Sequence, residues 1–94
     1  MAVVIVNEMH GADQSIYDEV NPRVMPEGNL PDGCQVHIAG PIDDGWRVIT
    51  VWDSEEKFNA FRDGTLLPAL QDTGNADRIA TSISAQPVHN LLGV

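Results

Sequence analysis

The residues best suited to chemistry in this sequence are a histidine and an asparagine, each inside a predicted strand. A neutral imidazole accepts or donates a proton near pH 7, so His37 is the candidate general base. An asparagine amide holds a ligand carbonyl or a developing oxyanion, so Asn7 is the second candidate catalytic residue. The alternative for His37 is a structural hydrogen bond to Ser82, Ser84 or a water molecule, without chemistry.

Two tryptophans are the candidate walls of a binding pocket. Trp46 and Trp52 begin and end one alternating segment, and each indole offers a large apolar surface and one N–H donor. This suits a flat aromatic or polyketide-like molecule. Thr50, Ser82 and Ser84 are predicted to share their side of the sheet and to add small polar groups to the pocket. The alternative is that the indoles only fill the core of a subunit interface.

The spacing of the histidines gives no support for a metal site. His10, His37 and His89 form neither an HxH nor an HExxH pattern. The sequence also lacks a phosphate-binding glycine-rich loop and a dinucleotide fingerprint. We therefore expect no metal and no bound cofactor.

The elements that must position these residues follow the order β-α-β-β-α-β. Alternating or β-branched runs predict the strands, and apolar residues at helical spacing predict the helices. Asp13 and Ser54 are suited to cap the two helices, and the Asp44-Gly45 pair predicts a hairpin. The predicted strands cover residues 2–9, 34–39, 46–52 and 78–86. This order is typical of a ferredoxin-like α+β fold, a four-stranded antiparallel sheet with both helices on one face.

Strand parity divides the side chains of the sheet into two sets, each expected on one face. An aliphatic set is predicted to pack against the helices: Val4, Val6, Val36, Ile38, Ile49 and Val51. The mixed set, which holds His37, Asn7, both tryptophans and the small polar groups, is then predicted on the open face. Such a face is too apolar for water and too polar for a dry core. We therefore expect a cavity shared by two subunits. A His37 under the helices or on the open surface would contradict its catalytic role and favour an accessory protein.

Length and charge restrict the class of protein. Ninety-four residues with 43% apolar and 20% charged residues predict one globular domain spanning residues 1–94. The formal net charge of −9 opposes binding to nucleic acid or to an anionic membrane surface. No apolar run is long enough to span a bilayer, and the N-terminus lacks a secretory leader, so we expect a cytoplasmic protein. The apolar tail of Leu91, Leu92 and Val94 is predicted to pack on a neighbour.

One stretch of the chain resembles a known group of proteins. It is similar to small bacterial proteins of the dimeric α+β barrel superfamily, and most of all to the antibiotic biosynthesis monooxygenase-like group. The similarity rests on Gly40-Pro41, Asp43-Asp44-Gly45-Trp46-Arg47-Val48-Ile49, Val51-Trp52-Asp53-Ser54, Phe58, Phe61-Arg62 and Leu67-Pro68-Ala69-Leu70. The resemblance implies that two sheets close face to face into a barrel, with a small-molecule pocket between sheet and helices or within the barrel. It implies no catalytic residue by position, because the superfamily shares none.

Two classes of function follow from these features. The first is a cofactor-independent monooxygenase acting on a small aromatic or polyketide-like molecule; the same residues would also serve an isomerase or a cyclase. In related oxygenases, the resemblance implies, an electron-rich phenolate or enolate transfers electrons directly to dioxygen. The second class is a ligand-binding or accessory protein without catalysis, which the absence of a visible acid–base pair favours.

Overall fold

The structure is a computed structural model that describes residues 1–93, so Val94 at the end of the apolar tail lies outside the described residues. A 3₁₀ turn over Pro26–Gly28 follows the first helix, and a π-helical segment over Arg62–Leu66 joins the last two helices. The elements in chain order are β1 (Val3–His10), α1 (Gln14–Val24), β2 (Cys34–Ile42), β3 (Gly45–Trp52), α2 (Glu55–Phe61), α3 (Leu67–Asp72) and β4 (Ala80–Pro87).

The sheet has the topology that the sequence predicts. Its strands are ordered β2-β3-β1-β4, and the three neighbouring pairs are all antiparallel. With α2, the π-helical segment and α3 counted as one helical arm, the β-α-β-β-α-β order and the ferredoxin-like fold are confirmed. The closure of two such sheets into a barrel stays a prediction.

Both predicted helix caps are present. The Asp13 carboxylate accepts a hydrogen bond from the amide of Ile16 at 2.9 Å, and the Ser54 hydroxyl accepts one from the amide of Lys57 at 3.3 Å. Each cap satisfies a backbone donor that the first helical turn leaves free. These caps fix where α1 and α2 begin, and so fix which residues face the sheet.

The helices cover the part of the mixed set that lies on β1, β3 and at His37 of β2, so the predicted assignment of the two faces is wrong. Trp52 is fully buried, and its ring lies 5.7 Å from the ring of Phe58 and 5.2 Å from that of Phe61. Two phenylalanine rings on the helical arm bury more area against an indole than against a valine. The aliphatic set therefore lies on the open face of the sheet, where Ile38 remains 55% exposed.

The register of β4 corrects a second prediction. Ser82 lies opposite Glu8 and Ser84 lies opposite Val6, and residues directly opposite in an antiparallel pair share a face. Both serines are therefore on the open face, away from His37. The predicted contact of His37 with these serines, and their place in its pocket, are wrong.

Two buried clusters hold the helices to one another and to the sheet. One joins α1 to α3 through Val20, Val24, Met25, Ala69 and Leu70, and the other joins β1 and β3 to α2 through Ile5, Trp52 and Phe58. A cavity lies between sheet and helices, lined by members of both clusters. Over residues 1–93, no helix has the length and apolar character needed to cross a membrane.

Candidate functional site

The cavity under α1 has a volume of about 60 Å³ and an almost entirely apolar wall. Helix α1 contributes Ile16, Tyr17 and Val20, while the sheet contributes its helix-facing residues, among them Ile5, Asn7, His37, Val48, Thr50 and Trp52. Within residues 1–93, no Asp, Glu, Lys or Arg side chain lines it. Because a buried ion needs a partner charge, this wall favours a neutral ligand.

A tyrosine and a histidine form the most suggestive contact at this cavity. The hydroxyl of Tyr17 lies 2.7 Å from Nε2 of His37, within hydrogen-bond distance. Tyr17 is in the first turns of α1, where the Asp13 cap sets the direction of the helix, and His37 is opposite Thr50 in the sheet. The two rings stack with centroids 6.0 Å apart, and the Tyr17 ring is 5.4 Å from that of Trp46.

Burial sets the charge state of this pair. Loss of water around the imidazole lowers the pKa of His37 below its ordinary value of 6.5. Burial, followed by the nearby Asp18 carboxylate, raises the pKa of Tyr17 above its ordinary value of 10.0. At neutral pH the imidazole is therefore uncharged and the phenol keeps its proton.

Three buried polar atoms have no hydrogen-bond partner within residues 1–93. They are Oδ1 of Asn7, Nδ1 of His37 and Nε1 of Trp46. An unsatisfied buried polar atom costs about 1–3 kcal/mol, so native proteins leave few of them. Asn7 and His37 line the cavity, and Trp46 contacts Tyr17 above it. A ligand in the cavity with hydrogen-bond donors and acceptors would satisfy Asn7 and His37, whereas Trp46 is not part of the cavity wall.

The remaining predicted site residues take different roles. The indole N–H of Trp52 donates to the Thr50 hydroxyl at 2.8 Å, so Trp52 offers the cavity an apolar wall only. The indole Nε1–H of Trp46 has no acceptor within residues 1–93, and Oδ1 of Asn7 has no donor there. The structure thus brings Asn7, His37, Thr50 and Trp52 to one cavity and places Trp46 against its Tyr17 wall.

Tyr17 is the site residue that the sequence analysis did not single out. It follows Ile16 and precedes Val20 on the apolar stripe of α1, so it belongs to the side of the helix that meets the sheet. A phenol on a buried stripe needs a polar partner. The sequence therefore indicated a polar partner for Tyr17 in the neighbouring strands, where His37 is one of few polar side chains.

Comparisons with known proteins find similarity only in structure. No family model matches the chain, and no curated protein matches it. A mutant form of SnoaB, a cofactor-independent oxygenase from Streptomyces nogalater, is 18% identical over 97% of this chain and 96% of that chain, with a TM-score of 0.68. A proposed antibiotic biosynthesis monooxygenase from Chloroflexus aurantiacus is 19% identical over 99% and 98% of the two chains, with a TM-score of 0.65.

A third similar structure contains a bound metalloporphyrin. A mutant of MhuD with two manganese protoporphyrin IX molecules bound per active site is 19% identical over 98% of this chain and 99% of that chain, with a TM-score of 0.64. Identities this low establish the fold and leave the activity to the site itself. The chain has the fold of the antibiotic biosynthesis monooxygenase-like proteins, as the resemblance in its sequence implied.

Proposed function

We propose that this protein is a cofactor-independent monooxygenase that acts on a neutral, mainly apolar aromatic or polyketide-like molecule in the cavity under α1. The observation that carries the proposal is the half-buried His37, which pairs with Tyr17 and lines a cavity that no Asp, Glu, Lys or Arg side chain of residues 1–93 lines. The unsatisfied Oδ1 of Asn7, which lines the cavity, supplies a polar group that would orient such a substrate.

The chemistry begins with the loss of a proton from an acidic CH₂ group of the substrate. When Nε2 of His37 donates to the Tyr17 oxygen, the lone pair on Nδ1 is free to accept that proton. Oδ1 of Asn7 accepts from a substrate hydroxyl, whereas the oxyanion role predicted for Asn7 would need its amide to be turned over.

The enolate then transfers electrons to dioxygen, which is the oxidant. Two C–H bonds and the O–O bond break, and a C=O bond and two O–H bonds form, so that CH₂ and O₂ become C=O and H₂O. One oxygen atom stays in the product and the other leaves as water. The apolar wall keeps other water away from the intermediate. The fold shared with SnoaB, described as a cofactor-independent oxygenase, supports this reaction by analogy.

Oxygen uptake with dithranol, a neutral anthrone with an acidic CH₂ group, tests the proposal. His37→Phe keeps an aromatic ring and removes the base, so we expect the rate to fall roughly 100-fold, the usual contribution of a positioned base. The matched control is His89→Phe, at an exposed histidine outside the cavity. Binding of dithranol without oxygen uptake would contradict the oxygenase and favour the ligand-binding alternative.

The same fold supports a proposal about assembly. We propose that two copies pair through the open face of the sheet, defined by Val4, Val6, Val36, Ile38, Ile49 and Val51. No helix within residues 1–93 covers this face, and all eight residues of β4 at its edge are exposed. A stable interface buries about 800 Å² on each partner, and a sheet face of this size supplies such an area.

A further inference from the structure

A second cavity adjoins the first on the outside of the molecule. It is an open depression of about 400 Å³ between the end of α1 and the start of β2. The 3₁₀ turn that forms part of its wall has two successive residues with positive φ, Glu27 at 59° and Gly28 at 76°. A side chain at Gly28 would meet nothing within 4 Å, so this wall is open space. Leu30, which is 43% exposed, adds an apolar rim.

Three side chains line both cavities and therefore separate them. They are Asn21, Met25 and His37. The hydrogen bond to Tyr17 holds His37, whereas no hydrogen bond can hold the end of Met25. An unbranched thioether side chain changes rotamer at low cost. Met25 is thus the most movable part of the partition, although it is buried at 5% exposure in this structure.

The two cavities differ in size and share an absence of charged side chains within residues 1–93. Ligand pockets for drug-sized molecules usually measure about 300–1,000 Å³, a range that the inner cavity does not reach and the outer depression does. Within residues 1–93, no Asp, Glu, Lys or Arg side chain lines either of them, on a chain whose net charge is −9. A neutral ligand that spans both cavities would therefore meet no charged side chain within that range, and Asn21, Gln35 and His37 would be its polar contacts in the outer depression.

We infer that the outer depression is the second half of one bipartite ligand site, entered past Met25. The inference rests on the proposed function and deepens it, because it names the shape of the substrate. The ligand is a neutral, elongated molecule whose narrow hydroxylated end reaches His37 and whose wider apolar end stays against Leu30.

The test compares phenol with 4-hexylphenol, with binding to the full chain followed by tryptophan fluorescence. We expect each methylene group to raise affinity roughly fourfold until the depression is filled. Leu30→Asp should weaken binding of 4-hexylphenol at least tenfold and leave binding of phenol within twofold. The matched control is Leu67→Asp, because Leu67 has the same 43% exposure and lines neither cavity.

A second variant tests the route of entry. Met25→Leu keeps the apolar volume and removes the flexible unbranched end. We expect the association rate of 4-hexylphenol, measured by stopped flow, to fall severalfold while the dissociation constant changes little.

Equal affinity for the two phenols, or no effect of Leu30→Asp, would overturn the bipartite site even where dithranol is still oxidised. An unchanged association rate in Met25→Leu would overturn entry past Met25. If neither phenol binds and dithranol is not oxidised, the inner site and the proposed function fail together.

Discussion

The hydrogen bond between Tyr17 and His37 determines which nitrogen of this half-buried histidine is available to a ligand. The phenol occupies Nε2 and leaves Nδ1 without a partner, so a single ring is both held in place and available to a ligand. A histidine in a fully packed core would have both nitrogens satisfied. His37 lies under α1, a position that the sequence analysis associated with a role without catalysis. A cavity lies there, so the position is compatible with catalysis.

Tyr17→Phe is the variant that isolates this hydrogen bond. It keeps the ring stacked near Trp46 and removes only the hydroxyl that contacts His37. We expect the free energy of unfolding, measured in urea, to fall by about 0.5–1.5 kcal/mol. Because Tyr17 acts through His37, the acid limb of the rate of dithranol oxidation should also shift. A stability loss without any change in this pH profile would reduce Tyr17 to a structural role.

The lowered pKa of His37 predicts how stability depends on pH. As the pH falls below about 6.5, the unfolded chain binds a proton at this residue before the folded chain does. Stability is therefore fully present above that pH and declines as the pH falls towards the lower folded value. As the pH falls from about 7.5 to about 5.5, we expect the free energy of unfolding of the wild type to decrease relative to that of His37→Phe. A constant difference in urea unfolding across this range would show that burial does not affect His37.

At the scale of the elements, Gly45 determines how closely β3 can approach β1. It lies opposite His10, and a side chain there would overlap the backbone carbonyl of Met9. The Asp44-Gly45 pair predicts a turn that needs positive φ, yet Gly45 does not adopt one. The hairpin is confirmed, and its glycine is required by contact with β1 instead.

Two alanine substitutions separate this contact from general effects of glycine. Gly45→Ala should lower the free energy of unfolding by about 1–3 kcal/mol, since the new methyl group must displace β1. Gly40→Ala is the matched control on β2, where a side chain meets nothing within 4 Å. It should leave stability unchanged or raise it by up to about 1 kcal/mol, because glycine is costly in a strand. Equal effects of the two variants in urea unfolding would contradict this account.

The sequence predicts the helices and strands well because the spacing of apolar residues, the helix caps and the turn residues are local properties. It does not predict which face the helices cover, because both parity sets in β1 and β3 contain large apolar residues. The aromatic pair Phe58 and Phe61 was the overlooked guide, since both rings pack on Trp52. The register of β4 depends on its pairing with β1, so no property of that strand alone could place Ser82 and Ser84. The cavity is a product of these non-local contacts.

For the whole molecule, the open face of the sheet predicts the consequence of a single added charge. Ile38→Lys introduces an ammonium into the proposed interface between two copies, on the edge strand β2, where Ile38 is 55% exposed in the single chain. Burying this charge without a partner is unfavourable, so the dimer should dissociate at micromolar concentration in analytical ultracentrifugation. Leu67→Lys, on the helical side, should leave the dimer intact. A dimer that persists in Ile38→Lys would place the interface elsewhere.

The pairing of Glu8 with Arg47 gives the open face an unusual dependence on ionic strength. These two residues of opposite formal charge lie opposite each other on β1 and β3, so their charges offset each other within the face, whereas the whole chain carries a net charge of −9. Two copies therefore repel one another at a distance and not at contact. The screening length is about 10 Å in 0.1 M salt and about 3 Å in 1 M salt, so added salt removes mainly this long-range repulsion. Association of two copies should become faster and tighter as sodium chloride is added, the reverse of what an interface held by ion pairs between subunits would show.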